Sequence, residues 1–155
     1  MKSTVIQIRD IERIEKELNV NKVGLLGLFD KNENLSQTVL PFLYANKNIY
    51  IFFESDDELF VSIVFDAPVK FTVLRSEIMK KNSSTETQSL FKYLQITFNG
   101  NIKLEDDRKI IDELYKEYLQ RFNFNSSKLN DGYLDTLRVV YLDTEEIDAT
   151  EVTGA

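Results

Sequence analysis

Three consecutive acidic residues are the part of this chain whose side chains could most clearly do chemistry. Asp56, Asp57 and Glu58 follow an aromatic segment and precede the apolar run LFVSIVF. Together with Ser55 they match the capping box, in which the first side chain accepts a hydrogen bond from the fourth backbone N–H and the fourth side chain reaches back. Carboxylates in a first helical turn also oppose the positive end of the helix dipole. The pattern therefore predicts a short, well-capped helix.

Two functional interpretations compete with this structural one. The free N–H groups at a helix N-terminus can hold a phosphate. Phosphate sites usually add Arg, Lys or hydroxyl donors, whereas this site would add acids. The three carboxylates could instead bind Mg²⁺ or Ca²⁺, which prefer oxygen ligands. Consecutive helical residues point in different directions, however, and the EF-hand spacing is absent, so we predict no metal site.

The remaining composition excludes several classes of reaction. The chain has no cysteine and no histidine. Disulfides, thiolate or histidine zinc sites, iron–sulfur clusters and Ser-His-Asp catalysis are therefore excluded. Carboxylate metal sites and cofactor chemistry stay open. No side chain is predicted to be catalytic.

Length and charge set the broad class of protein. The chain has 155 residues and a formal net charge of −7, and this length predicts a single domain over residues 1–155. A negative surface repels phosphate backbones and anionic lipids, so nucleic acid and membranes are not expected partners. No apolar run reaches the about 18 residues needed to cross a bilayer, and the charged N-terminus lacks a signal-peptide core. We expect a cytoplasmic protein.

The elements that must position these residues begin with a helix. Ile8, Ile11, Ile14 and Leu18 recur at helical spacing, which predicts an amphipathic helix within residues 1–20. Apolar, strand-like segments joined by polar turns follow and predict a meander. These three segments span 22–30, 35–45 and 48–55.

The second half of the chain predicts two further strands before the next helix. Apolar and polar residues alternate over 69–77, as in a strand with one buried face. Residues 80–87 are polar and predict a loop. A long strand follows over 93–106, with a bend at Asn99-Gly100.

The C-terminal part predicts a helix and a closing strand region. Residues 105–123 carry one apolar stripe and predict a helix capped by Asp106 or Asp107. Residues 134–155 form one or two strands. The predicted fold is therefore mainly β, an antiparallel barrel of about six strands with flanking helices. The aromatic residues of the helical stripe are predicted to pack in the core; they are Tyr115, Tyr118 and Phe122.

The order of these elements resembles a known family. The opening of that family's chains is similar to residues 24–55 of this one, GLLGLFDKNENLSQTVLPFLYANKNIYIFFES. A strand ends in Phe29-Asp30, a turn follows, the next strand ends in Leu40-Pro41-Phe42, and the third strand is aromatic. This order resembles the FMN-binding split-barrel, or pyridoxamine 5'-phosphate oxidase-like, superfamily. The segments 88–107 and 134–155 are similar to the branch of HugZ-type haem-utilisation proteins.

The resemblance implies a fold, an assembly and a cofactor. The implied fold is a six-stranded antiparallel split β-barrel, and the implied assembly is a homodimer with the cofactor in a groove between its subunits. FMN is the usual cofactor of this family, whereas the HugZ-type branch binds haem and can degrade it. Haem would need an unusual ligand such as Tyr or Lys, since this chain has no histidine.

The resemblance also implies where a cofactor would be held. The basic residues that grip the FMN phosphate in the family correspond here to Glu58 and Val61, so the phosphate site is degenerate. The remaining cofactor-binding residues implied by the resemblance are Thr38, Ser55, Ser62, Lys92 and Gln95.

Three hypotheses follow from the sequence. The first is an FMN-binding split-barrel protein that could be a flavin-dependent oxidoreductase. The second is a homodimeric binding or structural protein that has lost its cofactor. The third is a haem-binding protein with a non-histidine ligand. The acidic stretch favours the second hypothesis, and the family resemblance favours the first.

Overall fold

The computed structural model describes residues 2–82 and 87–154. Within these ranges, strands dominate and three α-helices flank them. The strands are β1 (Ser3–Gln7), β2 (Val23–Phe29), β3 (Leu35–Pro41), β4 (Leu43–Ala45), β5 (Asn48–Glu54), β6 (Pro68–Asn82), β7 (Thr87–Glu105) and β8 (Leu137–Gly154). The helices are α1 (Ile11–Val20), α2 (Glu58–Ser62) and α3 (Arg108–Arg121), with two 3₁₀ turns at Ser126–Lys128 and Tyr133–Asp135.

All strands belong to one antiparallel sheet. Its order is β3-β2-β6-β7-β8-β5-β4, and β1 pairs with the far end of β8. The strand count is therefore eight rather than the predicted six. The mainly β, antiparallel class with flanking helices is as predicted.

One of the additional strands replaces the start of the predicted N-terminal helix. The helix predicted within residues 1–20 begins only at Ile11, because the Asp10 side chain caps it by accepting from the backbone N–H groups of Glu12 and Arg13. The preceding residues Ser3–Gln7 include the β-branched run TVI and pair with the open edge of β8. The sequence periodicity alone did not distinguish this edge strand from a helix.

The other additional strand arises where the predicted strand over 35–45 divides. Pro41 has no N–H to donate to a ladder. Phe42 then leaves the strand, and its fully buried ring packs edge-on against Phe71 with the ring centroids 5.3 Å apart. The pieces on either side pair with different strands, β3 with β2 and β4 with β5.

The long strands β6, β7 and β8 form the middle of the sheet. Part of the loop predicted over 80–87 lies on β6 and β7, and its residues 83–86 are outside the described ranges. The predicted bend at Asn99-Gly100 is confirmed as a register shift between β7 and β8. A Cβ added at Gly100 would lie 2.2 Å from the Asp143 carbonyl oxygen, so the bulge requires glycine there.

The inner face of the sheet encloses the main core. Side chains from β2, β5, β6, β7 and β8 meet there, and α1 covers them with the fully buried Leu18. Arg121 of α3 holds α1 in place, since the Arg121 guanidinium donates to the carbonyl oxygens of Leu18 and Asn19 at 3.0 and 2.9 Å. Among the described residues, no helix is long and apolar enough to span a membrane.

A second, smaller apolar cluster lies beneath α3. It joins Ile111 and Leu114 of the helix to Val139 of β8. The predicted helix is confirmed, and Asp107 is the cap. Tyr115 and Tyr118 are half-buried against this cluster, which agrees with their predicted packing role.

Candidate functional site

The acidic stretch does form the start of a short helix, but the predicted capping box is wrong. Helix α2 begins at Glu58, and its cap is Asp57, whose carboxylate accepts from the N–H groups of Leu59 and Phe60 at 2.9 and 3.3 Å. Ser55 lies two residues before this cap, and its own N–H is already satisfied because it donates to the Thr136 carbonyl at 2.8 Å. Asp56 and Asp57 therefore precede the helix instead of occupying its first turn.

An acidic cavity of about 490 Å³ lies between α2 and the β2–β3 turn. Its charged wall contains Asp30, Asp56 and Glu58, and Lys31 is the one basic residue that lines it. Ser62 also lines it, but the Ser62 hydroxyl donates to the Leu59 carbonyl at 2.7 Å. The set of side chains repels a phosphate, so this cavity does not fit one. In the described ranges, no three acids are grouped closely enough to bind a metal ion.

A second cavity, of about 350 Å³, lies on the other side of the same hairpin, and we name it the outer cleft. Residues directly opposite each other on neighbouring strands share a face. Gln37, Gly27, Lys70 and Asn99 are aligned in this way across β3, β2, β6 and β7. This row lies on the outer face, opposite the core. Because Gly27 has no side chain, the row contains a depression between Gln37 and Lys70.

The walls of the outer cleft are apolar and its polar groups are mostly neutral. Phe29 and Leu35 are paired at one end and are exposed. Gln37 and Asn99 supply amide donors and acceptors. The only charged side chain that lines the cleft is Lys70. Such a mixture of flat apolar contacts and few polar groups is typical of small-molecule sites.

Lys70 differs from the lysine that the sequence singled out. No described acid forms an ion pair with Lys70, and Glu146 ends its row two strands away. Lys92 instead lies 3.5 Å from Glu151. A hydrogen bond from Arg13 lowers the pKa of Glu151, and Lys92 lowers it further. Lys92 thus already has an acidic partner within the chain, which it shares with Arg13.

The five predicted cofactor residues are not brought together. Thr38 shares the inner face of the sheet with Leu26, and Lys92 is on the face that α1 covers, alongside Leu94. Gln95 points to the outer face, where its amide donates to Thr97 at 3.3 Å. Ser55 is in the turn before α2, and Ser62 is the last residue of that helix.

The residues of the outer cleft were missed by sequence reasoning, although part of the signal was visible. Lys70 alternates with the buried Val69 and Phe71, which already placed it on the solvent side of β6. What the sequence did not show is the cross-strand register that sets Lys70 opposite Gly27 and Asn99. That register depends on pairing between segments far apart in the chain.

The fold is shared with solved structures, although no protein-family model matches the chain and no curated sequence is significantly similar to it. A candidate 5-nitroimidazole antibiotic resistance protein from Bacteroides thetaiotaomicron matches with a TM-score of 0.82 at 12% identity, over 99% of this chain and 90% of that one. The FAD and heme binding protein from Mycobacterium smegmatis matches with a TM-score of 0.70 at 15% identity, over 92% and 71% of the two chains.

A third solved structure has a similar fold. A candidate pyridoxamine 5'-phosphate oxidase from Listeria innocua matches with a TM-score of 0.59 at 15% identity, over 88% of this chain and 94% of that one. The chain therefore shares the overall fold of these structures, and its antiparallel sheet agrees with the predicted split barrel.

Proposed function

We propose that the chain is a flavin-binding protein that holds its cofactor in the outer cleft. The observation that carries this proposal is Lys70, a lysine with no acidic partner in the described ranges, set in a neutral cleft beside the side-chain-free Gly27. A flavin combines a flat, largely apolar ring with an anionic tail. The names of structural neighbours with this fold include an FAD and heme binding protein and a candidate pyridoxamine 5'-phosphate oxidase.

Each residue of the outer cleft has a role in this proposal. Gly27 leaves room for the ring, and Phe29 and Leu35 supply apolar contact. Gln37 and Asn99 would bond the polar edge of the ring, and Lys70 would face the phosphate. A bound flavin supplies hydride and electron transfer, so the proposed activity is that of an oxidoreductase.

The finer assignment within this proposal is FMN and the HugZ-type branch. It rests on the sequence pattern of residues 88–107 and 134–155, which form most of β7 and the closing strand β8. FMN, with one phosphate, needs only one cation, and the outer cleft offers one in Lys70.

A homodimer completes the proposed site. The outer face carries exposed aliphatic residues beside the cleft, among them Val39 at 64% and Leu74 at 58% exposure. Neutral polar residues lie beside them, such as Thr72 and Thr97, whose hydroxyls lie 3.5 Å apart. A twofold-related copy would bury these residues and close the open side of the cleft.

The acidic cavity favours a second candidate function, a cofactor-free homodimer. Asp56 and Glu58 occupy the region where the resemblance places the phosphate grip, and both line that cavity. If no flavin binds, the same apolar outer face would serve as a protein interface alone. Haem bound by Tyr or Lys is the remaining alternative, and titration of the chain with haem tests it.

The two cavities flank one hairpin and each contains one lysine, which allows a matched experiment. We expect FMN to bind the wild-type chain saturably. Lys70→Gln should weaken binding by about tenfold or more, because a charge-assisted phosphate contact is lost. Lys31→Gln removes the lysine of the acidic cavity and should change affinity by less than about twofold. Flavin fluorescence titration measures all three. A larger loss for Lys31→Gln would contradict the proposed position, and no binding of FMN or FAD would favour the cofactor-free dimer.

A further inference from the structure

A third cavity lies near the N-terminus, away from the outer cleft. Its volume is about 380 Å³, within the about 300–1,000 Å³ of typical ligand pockets. It is bounded by the segment that joins β1 to α1, by α1 itself and by the turn between β4 and β5. We name it the α1 cavity.

The floor of the α1 cavity is hydrophobic. Leu18 is fully buried and Ile8 is 8% exposed, and Ile14 is half-buried beside them. Ile11 and Ile147 stand at the lip and remain exposed. A ligand with an aliphatic body would therefore remove apolar surface from water on both molecules.

The charged groups around this cavity are mainly positive. Arg9 and Lys47 line it, and neither forms an ion pair within the part of the chain that the structure describes. Lys47 is held in the two-residue turn that joins β4 to β5, with a φ of 62°. One acid, Glu15, faces them. Two free cations at one cavity are distinctive in a chain whose net charge is −7.

Tyr44 adds a neutral polar group to the same cavity. Its hydroxyl makes no hydrogen bond to another described residue, and burial, with a smaller effect from Glu15, raises the pKa of this phenol. The phenol therefore stays protonated at neutral pH and can donate a hydrogen bond to an acceptor in the cavity.

We propose that the α1 cavity binds an apolar monocarboxylate of the medium-chain fatty acid class. The aliphatic body lies on Ile8, Ile14 and Leu18, and the carboxylate lies between Arg9 and Lys47. A cationic amphiphile would meet two like charges and only one acid, so the charges select the anion. This site is separate from the proposed flavin site, and its test does not depend on flavin binding.

Three probes with one alkyl chain test the charge selection. Calorimetric titration of the full chain with octanoate, below its micelle concentration, should show saturable binding with about one molecule per chain. Octanol should bind about tenfold more weakly and octylammonium more weakly still, because the head group loses its charge-assisted contacts. Equal binding of octanoate and octylammonium, or no saturable octanoate binding, would overturn the proposal.

Surface variants test the location without disturbing the core. Arg9→Gln and Lys47→Gln should each weaken octanoate binding by about tenfold. Lys109→Gln, the same change at an exposed lysine of α3, should leave it unaltered. Ile11→Trp places a large ring at the exposed lip and should block entry. If Lys47→Gln leaves octanoate binding as unaltered as Lys109→Gln does, the assigned site is wrong. The same holds if the Ile11→Trp variant binds octanoate like the wild type.

Discussion

At the scale of single residues, Asp57 stabilises the start of helix α2, which borders the acidic cavity. Its carboxylate satisfies two backbone N–H groups of α2, which no other described side chain does. Asp57→Ala should lower the free energy of unfolding by about 1 kcal/mol, the usual effect of losing such a cap. Ser55→Ala is the control and should have little effect, because Ser55 is not the cap. Urea denaturation of both variants measures this, and a larger loss for Ser55→Ala would restore the predicted capping box.

Tyr133 provides a residue-scale prediction on pH. Burial, together with the hydrogen bond that its hydroxyl donates to Asp112, raises the pKa of Tyr133 from 10.0 to about 12. The unfolded chain loses this proton first, so the free energy of unfolding should fall as pH rises from about 10 to about 12. In denaturation experiments, the free energy of unfolding of the Tyr133→Phe variant should fall less steeply over that pH range. An identical pH dependence in wild type and variant would contradict the assigned cause.

Single residues also show how far the sequence could predict the site. The alternation of Lys70 with Val69 and Phe71 is local, and it correctly indicates a solvent-facing lysine. The pairing of Lys92 with Glu151 joins residues far apart in the chain, so the sequence could not show that Lys92 has an acidic partner. The predicted roles of Thr38, Ser55, Ser62, Lys92 and Gln95 in cofactor binding stay predictions.

At the scale of elements, replacing two glycines of the sheet with alanine should destabilise the protein at one position and have little effect at the other. The Cβ of Gly100→Ala would lie 2.2 Å from a backbone oxygen, so we expect a loss of about 1–3 kcal/mol. At Gly27 the nearest atom would be the Lys70 carbonyl oxygen at 3.7 Å, so stability should stay within about 1 kcal/mol of wild type.

The same pair of variants tests the outer cleft. Gly27→Ala places a methyl group in the depression of the cleft and should weaken flavin binding although the protein remains folded. Thermal denaturation and flavin titration of both variants separate the two effects. If Gly27→Ala binds flavin like the wild type, the ring does not lie over Gly27.

Elements with a strong local pattern were predictable, and those that depend on distant pairing were not. Helix α3 and the bulge at Asn99-Gly100 follow from an apolar stripe and an Asn-Gly step. β1 exists because the far edge of β8 is open to it, and β4 exists because β5 lies beside it. The partner of β1 lies near the other end of the chain and cannot be identified from the local sequence. β4 and β5 form a local hairpin, and only the division between β3 and β4 was missed.

At the scale of the whole molecule, the proposed homodimer makes a prediction about the outer face. Leu74→Arg places a charge on this face, and twofold symmetry would bring two such charges close together. We expect this variant to be monomeric in sedimentation experiments and the wild type to be dimeric. Val61→Arg makes the same change at an exposed residue of α2 and should remain dimeric. A monomeric wild type would contradict the dimer.

Flavin binding is tested by the absorbance spectrum of the purified chain, followed by titration with FMN, FAD and haem. We expect a flavin band, either in the protein as purified or after FMN is added, that saturates at about one flavin per chain. A colourless protein that binds none of the three would contradict flavin binding and would leave the barrel as a scaffold for protein contacts.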